Sequence, residues 1–337
     1  MVTPLAFRAR LWLALCLFRR TFMPRKLPRP IAAILPPFAA PLLLGAQAGP
    51  SITIAETGQQ FDRLQEAVNA IGTRRGTIVF APGIYRDCAV HWQGRITFRA
   101  EEPGTAILQR VICEGKGALV LRSPQGASVE GMVFENIRSP DRNGAGIRLE
   151  GGDLSVSNSM FRNSQQGILT ANDLNSALTI DRSTFSGLGG CPDGQCSHSV
   201  YVNDYGSVTI TRSRFERGTG GHYVKTRAPR VDIRDCTFDD TLGQETNYMI
   251  DLSIGATGRI SGNYFVQGAN KENYSAFITI GPEGQYNSAE GLAITDNRAS
   301  LAPGVRRVTA FIADWSQERL VQARNVLGQG IRAYEQR

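Results

Sequence analysis

The sequence predicts an all-β solenoid, a parallel β-helix with an N-terminal capping α-helix, on three observations. A short phrase ending in phenylalanine recurs every 23 to 30 residues, one place within it is nearly always small or polar, and 36 glycines among 337 residues point to many tight turns. Hydrophobic residues make up 42% of the chain, enough for a well-buried core.

The phrase is a branched aliphatic residue, three or so small or polar ones, one of any kind, then Phe. It reads Val129-Glu-Gly-Met-Val-Phe134, Val156-Ser-Asn-Ser-Met-Phe161, Ile180-Asp-Arg-Ser-Thr-Phe185, Ile210-Thr-Arg-Ser-Arg-Phe215, Ile233-Arg-Asp-Cys-Thr-Phe238 and Ile260-Ser-Gly-Asn-Tyr-Phe265. A worn copy, Ile294-Thr-Asp-Asn-Arg-Ala299, closes the series. A repeat of this length, built from short strands and turns, means coils that stack into a solenoid. Two residues before each Phe stand Met132, Ser159, Ser183, Ser213, Cys236 and Asn263, with Asn297 in the worn copy. This column predicts an inward ladder at a turn and makes Cys236 a buried free thiol. Helical solenoids are excluded by the β-branched runs, and a β-propeller needs antiparallel blades and a longer repeat.

Before the coils, apolar residues at Phe61, Leu64, Ala67, Val68 and Ile71 predict a helix over 61–71. Placed there, it would cover a sheet edge at the open end of the solenoid. Coils then run over about 76–325, and residues 49–337 form a single domain.

A second strand in each coil carries its own phrase, with one aliphatic residue that is apolar in every copy: Ile147, Ile168, Val200, Val224, Ile250, Ile278 and Ile312. That residue points inward, so its successor points outward, and stacked coils turn equal positions into columns spaced about 4.8 Å apart. One column reads Arg148, Leu169, Tyr201, Lys225, Asp251, Thr279, Ala313; flanking columns place His198, His222 and Tyr248 on one side and Asn203, Arg227 and Ser253 on the other. The bland alternative is a polar sheet face with Lys225–Asp251 as an exposed cross-strand pair, which contributes little. Two His, two Tyr, Lys, Arg and Asp on adjacent rungs instead predict a site.

The residue types favour β-elimination or epimerisation of a uronic acid over hydrolysis. Both need a cation for the substrate carboxylate and a base for the C5 proton, and elimination gains from an acid at the leaving oxygen. Lys225 and Arg227 suit the carboxylate, His222 or Lys225 the base, and Tyr201 or Tyr248 the acid, with Asp251 central among them. His198, Asn203, Tyr248, Ser253 and Arg148 are the expected substrate-binding residues. Hydrolysis asks for two carboxylates flanking the bond, and Asp204, Glu150 and Glu245 lie off-column or distant from Asp251. The alternatives are a glycoside hydrolase using Asp251, or a non-catalytic carbohydrate-binding protein with Tyr201, Tyr248 and Trp315 as sugar platforms. No cofactor or metal ligand set is expected, with bound calcium left open, and no Gly-x-Ser-x-Gly elbow is present.

The helix, the segment Gly76-Thr-Ile-Val-Phe-Ala-Pro-Gly-Ile-Tyr85 and the coils resemble the right-handed parallel β-helix proteins of the pectin-lyase-like superfamily over about 52–325. The resemblance implies a right-handed parallel β-helix whose site lies on outward residues of the middle coils. It names no activity, because that fold hosts lyases, hydrolases, esterases, epimerases and adhesins. Missing here are the aspartate cluster of pectate lyases, the paired aspartates of polygalacturonases and the Tyr-Gly-x-Asp-Pro-His signature of alginate epimerases.

The formal charge of +7 is misleading. Residues 1–48 hold Arg8, Arg10, Arg19, Arg20, Arg25, Lys26 and Arg29 with no acidic residue, so the remainder carries 30 side chains of each sign. Bulk charge therefore predicts no nucleic-acid partner. A basic stretch after Met23, the apolar run Ile31 to Leu44 and Ala46-Gln47-Ala48 predict a signal segment over 1–48 and an exported, periplasmic or extracellular product. Met23 offers an alternative start to Met1, and no membrane span is expected after cleavage. The expected partner is an acidic polysaccharide and the expected state a monomer. Cys191-Pro-Asp-Gly-Gln-Cys196 predicts a local disulfide, and Cys88 and Cys113 form the other available pair. A zinc knuckle there lacks its second cysteine pair.

Overall fold

The computed structural model describes residues 51–337, so the signal segment expected over 1–48 lies outside the described residues. Over those residues the chain is an all-β parallel solenoid of three sheets, one with twelve strands and two with ten. The aliphatic residue of the Phe phrase lies on the twelve-stranded sheet, where Val129, Val156, Ile180, Ile210, Ile233, Ile260 and Ile294 stack in parallel register. The phenylalanines line one ten-stranded sheet and the candidate site residues the other.

Period-two alternation sends these aliphatic and aromatic side chains into the core, where each coil meets only its neighbours above and below. Phe134, Phe161, Phe185, Phe215, Phe238 and Phe265 consequently form one continuous stack. Successive ring centroids lie 4.7, 4.8, 4.8, 4.9 and 4.9 Å apart, and the planes are within 9° of parallel. The ring spacing equals the strand spacing, so identical residues stack only when the coils are in register.

The expected polar ladder runs beside it. Ser159 Oγ accepts from the Met132 backbone N–H at 3.3 Å, and Ser183 and Ser213 repeat that bond one coil on. Asn263 and Asn297 continue it, and Asn325 adds a rung beyond those expected. Each ladder residue follows one with positive φ: Gly131, Asn158, Arg182, Arg212, Asp235, Gly262, Asp296 and Arg324. The ladder bonds hold this left-handed kink even where arginine occupies it, at a conformational cost of roughly 1–2 kcal/mol. Cys236 is the buried free cysteine in the column, and burial pushes its thiol up to about 12.

Two boundaries differ from expectation. The helix, α1, spans Leu64–Ile71 rather than 61–71, because Gln60–Phe61 forms a short strand antiparallel to Ile52–Ile54. Asp87 Oδ2 accepts the Leu64 backbone N–H at 2.6 Å and supplies the acceptor that Arg63, at the N-cap, does not. Leu64, Ala67, Val68 and Ile71 of α1 are buried, as its periodicity requires. The coils also continue past 325, since Ile331–Gln336 pairs in parallel with Thr309–Asp314. Cys88 pairs with Cys113 and Cys191 with Cys196.

Removing one ring interrupts the stack and leaves a cavity with a neighbour on each side. Phe185→Ala is expected to lower stability by about 3–5 kcal/mol in equilibrium urea unfolding. A loss under about 1 kcal/mol would show that the coils hold register without the stack.

Candidate functional site

The register of the second ten-stranded sheet is the one the aliphatic alignment predicts. Arg148 pairs with Leu169, Leu169 with Tyr201, Tyr201 with Lys225, Lys225 with Asp251, Asp251 with Thr279 and Thr279 with Ala313. The middle of the column is not open to solvent, however. Lys225 is 7% exposed and Asp251 1%. The alternative of an exposed cross-strand pair fails because neighbouring side chains close over these rungs.

Lys225 Nζ donates to Asp251 Oδ2 at 2.9 Å and to Glu283 Oε1 at 2.5 Å. Asp251 is further held by Ser253 Oγ at 2.8 Å and Thr279 Oγ1 at 2.9 Å, which occupy both its oxygens. Burial pulls the Lys225 ammonium down, but the two carboxylates outweigh it and its pKa ends above the ordinary lysine value. Of the two candidate bases, Lys225 is therefore the cation.

Arg227 donates one Nη1 to the Tyr201 hydroxyl and to Asn203 Oδ1, and its Nη2 to Glu283. Its guanidinium lies 5.5 Å from the Tyr201 ring centroid. Glu283 thus bridges both cations. Burial raises its carboxyl, but Lys225 and Arg227 outweigh this and the pKa falls below its ordinary value. Glu283 was invisible to column analysis because it lies in the loop after Ala276–Ile280, outside any strand phase.

His198 and His222 meet on the other side of the column. The His222 backbone N–H donates to His198 Nδ1 at 3.0 Å, and the two Nδ1 atoms are 3.1 Å apart. His222 Nε2 lies 3.8 Å from Asp251 Oδ2, too far for a hydrogen bond. Burial lowers the pKa of both rings well below the ordinary histidine value. The neighbouring His222 imidazole and Lys225 add to this at His198, and Lys225 and Lys271 at His222. Tyr248 stands next in this row, its ring 5.7 Å from His222 and its hydroxyl accepting from Asn273 Nδ2 at 2.8 Å.

Arg148 is apart from this cluster: Leu169 separates it from Tyr201, and it is bound to Glu150. Tyr205 is fully buried with its hydroxyl donating to the Gly152 carbonyl. The Cys191–Cys196 loop does border the site, since Cys191 Sγ accepts the Gly221 backbone N–H at 3.1 Å, one residue from His222.

Behind His222 lies a second network that sequence reasoning missed, because its members lie outside the regular strands. Lys271 and Asp240 pair at 3.2 Å with side chains 0% exposed, and the Tyr223 and Thr246 hydroxyls and the Gly268 N–H also donate to Asp240. Among the described residues no three His, Cys, Asp or Glu side chains converge as metal ligands. A cavity of about 520 Å³ near Arg306 and Arg307 is lined by none of the site residues.

The family model for the right-handed β-helix region matches residues 112–301, more than half of the chain and the rungs from Arg148 to Thr279. The protein belongs to the right-handed β-helix family. Among solved structures, this β-helix is similar to ORF18 of Geobacillus virus E2, at 13% identity and a TM-score of 0.45. That match covers 81% of this chain and 56% of the viral one, so the chain spans little more than half of the viral protein's length. No curated protein matches the chain. Among the described residues of the β-helix, no helix is long and apolar enough to cross a membrane.

Both imidazoles stay neutral in the fold but bind a proton once unfolded, near pH ~6.5. The unfolded state then holds more protons, so the stability present above that pH is lost as pH falls through it. The melting temperature is expected to drop steadily between about pH 7.5 and pH 5. A flat profile over that window would mean that the folded protein takes up the same protons.

Proposed function

We propose that the cluster removes the C5 proton of a uronic acid within an acidic polysaccharide, leading to β-elimination or C5 epimerisation. The observation that carries this is the clamp: Lys225 and Arg227 converge on one carboxylate, that of Glu283, beside a neutral His222. A uronate carboxylate has the same charge and fork, so an entering glycan can displace Glu283 and take the same donors. The β-helix family is often polysaccharide-related, which agrees with this substrate class.

In elimination the C5 proton passes to His222 Nε2. The electron pair left at C5 forms the C4–C5 double bond, and the C4–oxygen bond breaks. Tyr201, whose oxygen already accepts from Arg227, donates its hydroxyl proton to the leaving oxygen, and Arg227 steadies the phenolate. In epimerisation the C4–oxygen bond stays intact, and the carbanion instead takes the Tyr201 hydroxyl proton on its opposite face, with Arg227 steadying the phenolate. Asp251 is a positioning group that holds Lys225.

Hydrolysis has one point in its favour. Asp251 and Glu283 both reach the same Lys225 nitrogen, so their oxygens are no farther apart than 2.9 and 2.5 Å laid end to end. Retaining hydrolases space their carboxyls about 5–5.5 Å apart. A general acid needs a raised pKa, however, and Glu283 is shifted down, while Asp251 has both oxygens occupied.

Two further parts of the proposal concern the chain as a whole. Export is supported by the leader sequence and by the Cys88–Cys113 and Cys191–Cys196 disulfides, which persist in oxidising compartments. A capping role for α1 is supported by Gln65, whose side-chain amide pairs with both the N–H and the carbonyl of Val90 on the first strand of the site sheet.

The test is turnover of a panel of acidic polysaccharides, followed by ultraviolet absorbance of the unsaturated product and by deuterium uptake at C5. Activity on one of them is expected, falling by about 10²-fold or more in His222→Ala and in Lys225→Ala. Neither absorbance nor exchange with any uronate polymer would sink the proposal. Glu283→Gln removes the internal competitor for the clamp, so KM for the glycan is expected to fall severalfold. A KM that rises instead would make Glu283 part of the substrate-binding surface.

A further inference from the structure

We infer that His198 is a positioning residue that fixes the tautomer of His222, leaving Nε2 of His222 as its one unprotonated ring nitrogen; this rests on the proton-abstraction proposal above. The His222 backbone N–H donates to His198 Nδ1 at 3.0 Å, so that nitrogen presents a lone pair and the His198 proton sits on Nε2. His222 Nδ1 lies 3.1 Å from the same atom. Two lone pairs facing each other at that distance repel, and the contact is attractive only if His222 Nδ1 carries the proton. The reverse assignment fails, because a proton on His198 Nδ1 would oppose the His222 backbone N–H. His198 Nδ1 therefore accepts a three-centre bond, an arrangement common in proteins.

A neutral imidazole has one N–H, so His222 Nε2 keeps its lone pair. That nitrogen is the one on the Asp251 side of the ring, 3.8 Å from Oδ2, beside Lys225. Asp251 does not claim it as a partner, since its oxygens are filled by Lys225, Ser253 and Thr279. The lone pair is thus held next to the carboxylate clamp, where the C5 hydrogen of a bound uronate would arrive.

His198 is itself anchored. The Ser199 N–H donates to the His222 carbonyl at 3.1 Å, Ser197 N–H donates to the Gly190 carbonyl at 2.7 Å, and Ser197 Oγ donates to the Arg142 carbonyl at 2.7 Å. With the Cys191–Cys196 disulfide closing the segment just before it, the backbone on both sides of His198 is tied down, and its ring packs edge-on against Tyr201 at 5.0 Å between centroids. A purely structural role would need only an acceptor for a backbone N–H; this geometry also dictates which nitrogen of the next ring is bare.

The chain has three histidines, so ring nitrogens can be assigned by substitution in long-range proton–nitrogen NMR spectra of the whole folded protein. The expected result is a proton on Nδ1 of His222 and on Nε2 of His198. His198→Asn places an amide oxygen where Nδ1 stood and is expected to preserve the His222 tautomer. His198→Leu removes the acceptor, and His222 is expected to gain the Nε2–H form. Turnover of the acidic glycan should follow, with kcat about tenfold lower or worse in His198→Leu, KM little changed, and kcat largely restored in His198→Asn. An Nε2 proton on wild-type His222, or an unchanged tautomer in a folded His198→Leu protein, overturns the inference. If the tautomer shifts as expected while the wild-type protein turns over no uronate polymer, His198 keeps its positioning role and the proton-abstraction proposal fails.

Discussion

The parallel strands of this protein depend on coils stacking in register at the spacing of parallel β-strands. The phenylalanine column and the Ser/Asn ladder impose that register together. The rings lie 4.7 to 4.9 Å apart and cannot slide by one residue without facing solvent. The ladder side chains satisfy backbone N–H groups at the kink between two sheets, groups that would otherwise be buried without a partner. One element is apolar and the other polar, and each tolerates what the other fixes. The ladder holds arginine in a left-handed conformation at Arg182, Arg212 and Arg324 because its bonds leave the chain no alternative.

The same register builds the site. Tyr201, Lys225, Asp251 and Thr279 are distant in sequence but occupy consecutive rungs, so their side chains meet without any special loop. Stacking ionisable groups this closely makes each one's charge state depend on the next. Asp251 and Glu283 hold the Lys225 pKa up against burial, and burial, helped by Lys225 and Lys271, lowers that of His222. Cation and base coexist on one rung because burial acts on both while carboxylates hydrogen-bond only one of them.

Column analysis recovered the pairing of Tyr201, Lys225 and Asp251 and placed His198 beside His222, because side-chain phase on a strand is fixed by its one invariantly apolar neighbour. It overestimated their exposure and admitted Arg148, which the intervening Leu169 sets apart. Glu283 escaped it altogether. A loop residue has no phase, and only the path of the chain after Ile280 brings its carboxylate onto Lys225 and Arg227. The buried Lys271–Asp240 pair escaped for the same reason.

The sequence by itself determined the solenoid, its repeat, the inward ladder with Cys236 in it, and which side chains share a column. Those follow from periodicity, which is local and survives in one dimension. Tertiary structure alone decided that the site groups are buried, that Lys225 is the cation and His222 the neutral partner, and that an internal carboxylate fills the clamp. Charge states depend on burial and on neighbours within a few ångströms, and neither is written in the spacing of residues along the chain.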